Sequence, residues 1–425
     1  MEVKHFKKTD TKTWELFVSQ NNKGTLFHTR RFLNYHPEGR FKDHSLMFFE
    51  KGKIVALFPA VEITNHNRKM LVSHPGASFG SFVTSENISF RNTMELVKTL
   101  KSYASEHDFN GVRTTLPPAI YRYQPSNYLD FSLLKNGFTY YRREISSILL
   151  LEKSIDKTLA RFRPSHRQAV RKAQRYGIQI RESDDFANFY RMLKKNLKIR
   201  HGVEPTHTLE ELCLLNELFP DQVVLHSAIL DNKMIAGVVN FIVNPKIILA
   251  FYISHDEHFQ ESRPLHLLFS SIFEWAIQKG VHAFDFGIFT VKEEPNFGLA
   301  RFKENFGASG IFRDTLELTL HSTKTHKNVI FIPAWETICY LWFRSFYNTI
   351  YQFSFTATIH TSSDTGRIWC CFSHLCFHCV CQHPFYPRDG YSIYALSRYG
   401  KNREKQKNHF FNQFYLASSI NSVIG

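Results

Sequence analysis

Two stretches of this chain, far apart in sequence, follow one plan, and that repetition constrains the fold more than any other feature. Ser45-Leu-Met-Phe-Phe-Glu-Lys-Gly-Lys53-Ile-Val-Ala-Leu-Phe-Pro59 reads as a strand, a tight turn at Gly52 and a second strand. Leu225-His-Ser-Ala-Ile-Leu-Asp-Asn-Lys233-Met-Ile-Ala-Gly-Val-Val239 repeats the plan, with Asp231-Asn232 in the turn. Gly, Asn and Asp suit such turns because they tolerate the backbone conformations a short hairpin requires. Each hairpin is followed by a helix (Arg91–Glu106 and Leu265–Lys279) and then a strand (Gly111–Thr115 and Val281–Phe286). Hairpin, helix and strand, occurring twice, predict two copies of one α/β unit with a boundary near residues 150–156.

Between the copies the sequence reads as helical. Ser154 caps a helix through Phe162, Pro164 interrupts it, and a second helix covers His166 to Tyr176 and stops at Gly177. Asp184 and Asp185 open another, reaching Lys198, and Thr208-Leu-Glu-Glu211 has the capping-box pattern that starts one more.

The densest chemistry lies between Phe284 and Thr315. A buried strand, Ala283 to Phe286, ends at Gly287; a polar loop follows, then a basic helical turn, Ala300-Arg301-Phe302-Lys303, closed by Phe306-Gly307. This order of helix, strand and Phe302-Lys303-x-x-Phe306-Gly307 resembles the C-terminal half of the FemAB-like acyltransferases, which are built from two GNAT-type domains. Arg163-Pro-Ser-His-Arg167-Gln-Ala-Val-Arg171-Lys172-Ala-Gln-Arg-Tyr-Gly177 looks like the segment opening their second domain, and Thr25 to His36 resembles their entry helix. The resemblance covers about residues 10–320. It implies an α/β (α+β) protein of two tandem GNAT-like domains, residues 1–153 and 154–322, each a mixed, mostly antiparallel twisted sheet flanked by helices.

The same resemblance implies transfer of an acyl group to an amine of an amino sugar or of a cell-envelope or polysaccharide precursor. Attack is direct within a ternary complex, without a covalent enzyme intermediate and without a metal. Acyl-CoA is the implied co-substrate. The alternative donor is an aminoacyl-tRNA, as in FemABX-type enzymes. One departure bears on this choice. GNAT domains normally open their donor-binding helix with a glycine-bearing loop whose N–H groups hold pyrophosphate. This chain has Gln260-Glu-Ser-Arg263-Pro264-Leu-His266 instead, without a glycine.

Candidate site residues follow from chemistry and placement. Lys303 can steady an oxyanion or a phosphate; its plainer reading is a surface lysine paired with Glu293 or Glu294. Asp285 is either a base or a strand-end structural carboxylate. His201, beside Arg200 in a segment rich in titratable groups, can exchange protons near neutrality. The plainer reading has both residues answering a helix dipole. Tyr252 and His255 end an apolar strand, where α/β folds expose ligands, and Arg263 beside a proline-initiated helix can grip an anion. Arg167, Arg171 and Arg175 recur every four residues and share one helix face, which suits phosphates but also suits plain solvation. Ser73-His74-Pro-Gly76-Ala-Ser-Phe-Gly80 is a glycine-bearing loop with no role the sequence singles out.

A net charge of +15 favours acidic partners and keeps a non-catalytic polyanion or nucleic-acid binder as a third reading, although no stable nucleic-acid partner is expected. The start, MEVKHFKKTD, has no apolar h-region, and the first 324 residues contain no 18-residue apolar run. Cys213 is the one cysteine of that stretch, so a reducing, cytoplasmic setting is expected, with peripheral association at the inner membrane face. Residues 323–425 differ: six of the seven cysteines and three of the five tryptophans fall there, while leucine nearly vanishes. Cys376-x-x-Cys379 is their one clean pair for zinc, and Ile330–Phe343 is too short to span a membrane. The expectation is a poorly ordered extension foreign to the body.

Overall fold

In the computed structural model, residues 1–21, 24–66, 68–201 and 203–320 are described, together with 357–361, 368–372 and 375–379. Contacts divide the chain into Met1–Thr325 and His326–Gly425. The first half runs β1 (Glu2–His5), α1 (Thr11–Gln20), α2 (Arg30–Leu33), β2 (Lys42–Asp43), β3 (Leu46–Glu50), β4 (Lys53–Phe58), β5 (Val61–Asn65), β6 (Arg68–Ser73), β7 (Val83–Thr84), α3 (Phe90–Glu106), β8 (Gly111–Thr115), α4 (Tyr128–Lys135) and β9 (Thr139–Leu150). The second half runs α5 (Ile155–Ala160), α6 (Pro164–Arg175), β10 (Gln179–Ser183), α7 (Phe186–His201), α8 (Leu209–Leu218), β11 (Val223–Leu230), β12 (Lys233–Asn244), β13 (Ile247–His255), α9 (Pro264–Gln278), β14 (Ala283–Ile288), β15 (Thr290–Val291), β16 (Glu294–Pro295), α10 (Phe297–Glu304) and β17 (Ser309–Thr319).

An eleven-stranded sheet, in the order β10-β11-β12-β13-β14-β9-β17-β8-β6-β5-β2, carries both halves. Its centre exchanges strands between them. β9, from the first half, pairs with β14, and β17, from the end of the second, lies between β9 and β8. The two hairpins are both present, but not in equivalent places. β11 and β12 belong to the long sheet, whereas β3 and β4 form a separate four-stranded sheet with β1 and β7.

Local chemistry sets the helix ends. Pro164 and Pro264 each occupy the first turn of their helix, where a missing N–H costs nothing. Gly280, at φ 75°, ends α9: its N–H reaches the Ile277 carbonyl and that of Val281 reaches Ala276, which satisfies the last orphan carbonyls. Thr208 and Glu211 form the reciprocal capping box of α8. α9 buries Leu268, Phe269, Ile272, Phe273 and Ala276 against one face of the sheet, beside Phe162, Phe284, Phe286 and Phe306. The opposite face is covered by α7 and α8, with Phe27, Phe32 and Tyr35 of the first half packed beside Phe189, Phe241 and Leu249.

In the unit His326–Gly425 the described residues form three antiparallel strands, β18 (Ala357–Thr361), β19 (Ile368–Phe372) and β20 (Leu375–Cys379). Cys376 and Cys379 of the zinc reading lie on β20, with side chains outside the described residues, and the remainder of the expected poorly ordered extension lies outside them altogether. Among the described residues no helix is long and apolar enough to cross a membrane, and no group of three or more metal-ligating side chains gathers.

Candidate functional site

The site begins where two parallel strands part. β13 and β14 pair only from Ile247↔Ala283 to Leu249↔Asp285; β13 then continues to His255 and β14 to Ile288. Beyond Leu249 the edge of β13 that faced β14 is open, so an extended, amide-bearing chain can add to it as a strand does. β14 turns away through a bulge: its register with β9 shifts between Asp285 and Ile288, and Gly287 takes φ 75°, a conformation natural only to glycine.

Two buried charged groups hold that bulge. Asp285, 2% exposed, accepts hydrogen bonds from the Gly287 N–H (2.7 Å), Ser146 Oγ (2.6 Å) and Tyr121 Oη (2.8 Å). Lys303, also 2% exposed, donates from Nζ to the carbonyls of Gly287 (2.8 Å) and Ile288 (2.9 Å). Burial raises the Asp285 carboxyl above the ordinary carboxylate range, against the opposing hydrogen bonds and the charge of Arg313. Burial lowers the Lys303 ammonium to about 8, while the nearby Asp285 charge opposes the shift. An ammonium has three donors. Two of these serve the bulge, which leaves one for a ligand.

Lys303 also lines a cavity of 660 Å³, with Ile253 and His255 at the end of β13, Arg263 before α9, and Asn296, Leu299 and Phe302 around α10. No carboxylate lines it. His166 and His266 form part of the wall, edge to face with ring centroids 4.4 Å apart. Burial lowers them to about 4 and about 3, so both are neutral at pH 7. Arg263 is exposed and adopts φ 57°, a left-handed conformation that costs any residue with a Cβ, directly before the first turn of α9. Helix N-termini favour anions because their first N–H groups lack partners. Arg263 therefore sits where the GNAT glycine loop is expected, and adds a cation to that end of the helix.

Arg263 belongs to a second, open groove of 900 Å³ along α6, with Arg171, Lys172 and Arg175 and again no carboxylate. Of the basic stripe, Arg171 and Arg175 thus reach the groove. Arg167 does not: its guanidinium donates to the carbonyls of Ala160 (3.3 Å) and Phe162 and secures the turn between α5 and α6.

The other sequence candidates separate. Tyr252 is absent from the cavity lining, whereas its neighbour Ile253 lines it, as strand alternation requires. The Tyr252 hydroxyl meets His207 instead, accepting its backbone N–H (3.2 Å) and pairing with Nδ1 (2.9 Å). His207 Nε2 in turn meets the Tyr35 hydroxyl at 2.8 Å, so three side chains join the first and second halves of the chain. Asp285 is likewise off the cavity wall. Arg200 and His201 lie on α7, with side chains outside the described residues. His166, His266, Asn296 and Leu299 were not anticipated. A lone histidine on a helix carries no periodic signal, and only the fold brings the two imidazoles together.

The family model described as Acetyltransferase (GNAT) domain matches residues 160–304. No curated protein matches the sequence significantly. Among solved structures, FemX superposes with a TM-score of 0.59 at 14% identity, covering 75% of this chain and 98% of FemX. The C-terminal domain of a putative lysylphosphatidylglycerol synthetase from Agrobacterium fabrum gives 0.48 at 12% identity, over 73% and 91% of the two chains. A tandem GNAT protein from the clavulanic acid biosynthesis pathway gives 0.46 at 9% identity, over 76% and 99%.

Proposed function

We propose, for a chain whose residues 160–304 form a GNAT acyltransferase domain within a FemX-like fold, that it moves an acyl group from a phosphate-bearing carrier to an amine at the parting of β13 and β14. The observation that carries this reading is the carboxylate-free cavity in which Lys303, Arg263 and the first turn of α9 converge. The acyl carrier lies along the open edge of β13, with its phosphates at Arg263. The amine attacks the acyl carbonyl, and the third N–H of Lys303 meets the oxygen that becomes negative. An ammonium fixed beforehand by two carbonyls needs no reorganisation as that charge develops, which is the source of its catalytic value. Collapse of the tetrahedral species expels the carrier and leaves an amide.

The amine must lose a proton. His166 and His266 are weak bases in their buried setting, which leaves His255 on the cavity wall and His201 on α7 as acceptors. Asp285 acts through Lys303, by keeping its ammonium charged. Tyr252 acts through His207 as a positioning residue.

Acyl-CoA is the donor of the first reading, and an amino sugar of a cell-envelope or polysaccharide precursor is the acceptor. The basic groove along α6 favours a second reading in which the donor is an aminoacyl-tRNA, because a groove joined to the cavity through Arg263 suits a longer polyanion than a single pyrophosphate. Thermal unfolding of the full chain with acetyl-CoA, longer acyl-CoAs, free CoA and charged tRNA separates them. A saturable rise with thioesters, lost in Arg263→Ala, supports acyl-CoA. A rise with charged tRNA alone transfers the reading to the second donor. A rise with neither removes both.

A further inference from the structure

A third cavity, remote in character from the first two, lies at the start of α3. We propose that it is a saccharide-binding site. Its volume is 1040 Å³, and Glu86 and Arg122 are its only charged lining residues. Arg122 is already neutralised by Asp130, to which it donates two hydrogen bonds of 2.9 Å, and Glu86 accepts one from Gln124 at 3.2 Å. The cavity is therefore nearly neutral, in contrast with the cationic walls around Arg263. A phosphate-bearing ligand has little to gain here.

What the walls offer is a pairing of rings with planar polar groups. Phe90 and Tyr128 are 44% and 48% exposed, with centroids 5.4 Å apart in an edge-to-face arrangement. Around them stand Asn87, Gln124, Glu86 and Arg122, whose amide, carboxylate and guanidinium groups form in-plane hydrogen bonds. A sugar ring has the matching anatomy: a face of C–H groups that covers an aromatic ring, and an equator of hydroxyls that donate and accept together. Arg122 is also fixed by donating to the Ser126 carbonyl and to Asn127 Oδ1 at 3.0 Å, both residues of the same cavity wall. Its side chain is only 5% exposed, so it forms a fixed part of the wall. Phe131, 53% exposed and 5.6 Å from Phe90, extends the row of rings beyond the cavity, so the site accommodates more than one sugar unit.

The assignment rests on the acyl-transfer reading only for its purpose: a glycan held here would be the distant part of an amine-bearing acceptor. Its test is independent. Titration calorimetry of the full chain with a β-1,4-linked glucosamine tetramer, its N-acetylated form and a neutral glucose tetramer should show saturable binding of at least one. Phe90→Ala and Tyr128→Ala should each weaken it about tenfold, the value of one aromatic contact. Both rings are exposed, so neither change opens the core, and the thermal response to the acyl donor should persist in both variants. Absence of binding to all three tetramers overturns the proposal, as does binding that both variants retain. Binding of phosphatidylglycerol vesicles in place of any tetramer also overturns it, and would identify the ring row as a lipid-facing surface. If these outcomes arise while the unmodified chain still acylates a simple amine, the glycan site alone is rejected. Loss of donor response and turnover in the unmodified chain is the separate failure of the acyl-transfer reading.

Discussion

Asp285 and Lys303 hold the two polar backbone groups of one residue: the carboxylate accepts the Gly287 N–H at 2.7 Å, and the ammonium donates to the Gly287 carbonyl at 2.8 Å. The bulge at Gly287 is thereby fixed at the point where β14 leaves β13. Lys303 is anchored to the backbone but buried, so its charge depends on the carboxylate behind it.

Replacing Lys303 tests both roles. Lys303→Met strands two carbonyls and removes the proposed oxyanion donor. It should lower kcat by about 100- to 1,000-fold and destabilise the fold by roughly 1–3 kcal/mol. Single-turnover rates and denaturant midpoints measure the two effects separately. A kcat within threefold of the unmodified chain would show that the lysine is structural only.

The pH dependence follows from the same group. The folded Lys303 titrates at about 8, below its ordinary 10.5, so between those values the unfolded chain binds more protons and this residue's contribution to stability rises with pH. Activity moves the other way, because the ammonium is the useful form, and should fall as pH rises through about 8. Asp285→Asn removes the charge that opposes the shift, so the alkaline limb should move to lower pH while activity on its acid side survives. If Asp285 were the base, Asp285→Asn would abolish turnover at every pH.

How much of this was readable beforehand differs by element. The helices were legible because their punctuation is chemical: Pro164 and Pro264 at the starts, Gly177 and Gly280 after the ends, Thr208 with Glu211 as a capping box. The long central strands were not. In β9, Arg143 pairs with Asp314 of β17, a cross-strand arrangement that replaces the apolar alternation by which a strand is usually found. Lys303 was legible as a candidate but not as a buried group. The glutamates that would have explained a surface lysine stand elsewhere, and Glu293 accepts the Arg143 N–H at 2.9 Å. The partners of Asp285, Tyr121 and Ser146, come from the first half of the chain, and no local pattern links them to it.

Arg263 separates binding from stability. Its left-handed backbone costs roughly 1–2 kcal/mol that glycine avoids, and glycine is also an acceptable residue before a helix. Arg263→Gly should therefore raise stability by roughly 0.5–1 kcal/mol, after the entropy of the freer unfolded chain is subtracted. Donor binding should weaken at the same time, since the guanidinium is gone. Paired melting curves with and without donor read both changes. A variant that is both less stable and fully donor-responsive would contradict the assignment of Arg263 to anion binding.

The buried histidines make the fold sensitive to acid. Burial lowers His166, His207 and His226 to about 4, and His74 and His266 to about 3, in each case as the largest cause. For a base whose folded value is depressed, the unfolded chain takes up protons first as pH falls from 6.5. Stability is then lost by about 1.4 kcal/mol per pH unit for each histidine titrating in that window. Denaturant midpoints should accordingly drop steeply between pH 6.5 and 4, well before most carboxylates protonate. His207 can be isolated from the rest. His207→Gln keeps polar atoms between Tyr35 and Tyr252 but removes the titration, so it should be less stable at pH 7 while losing stability less steeply on acidification, by about one proton's share of the slope. An unchanged slope in this variant would mean that His207 takes up its proton equally in the folded and unfolded chains, against the burial that lowers it and the nearby Arg40 charge, which together outweigh the opposing charge of Glu211.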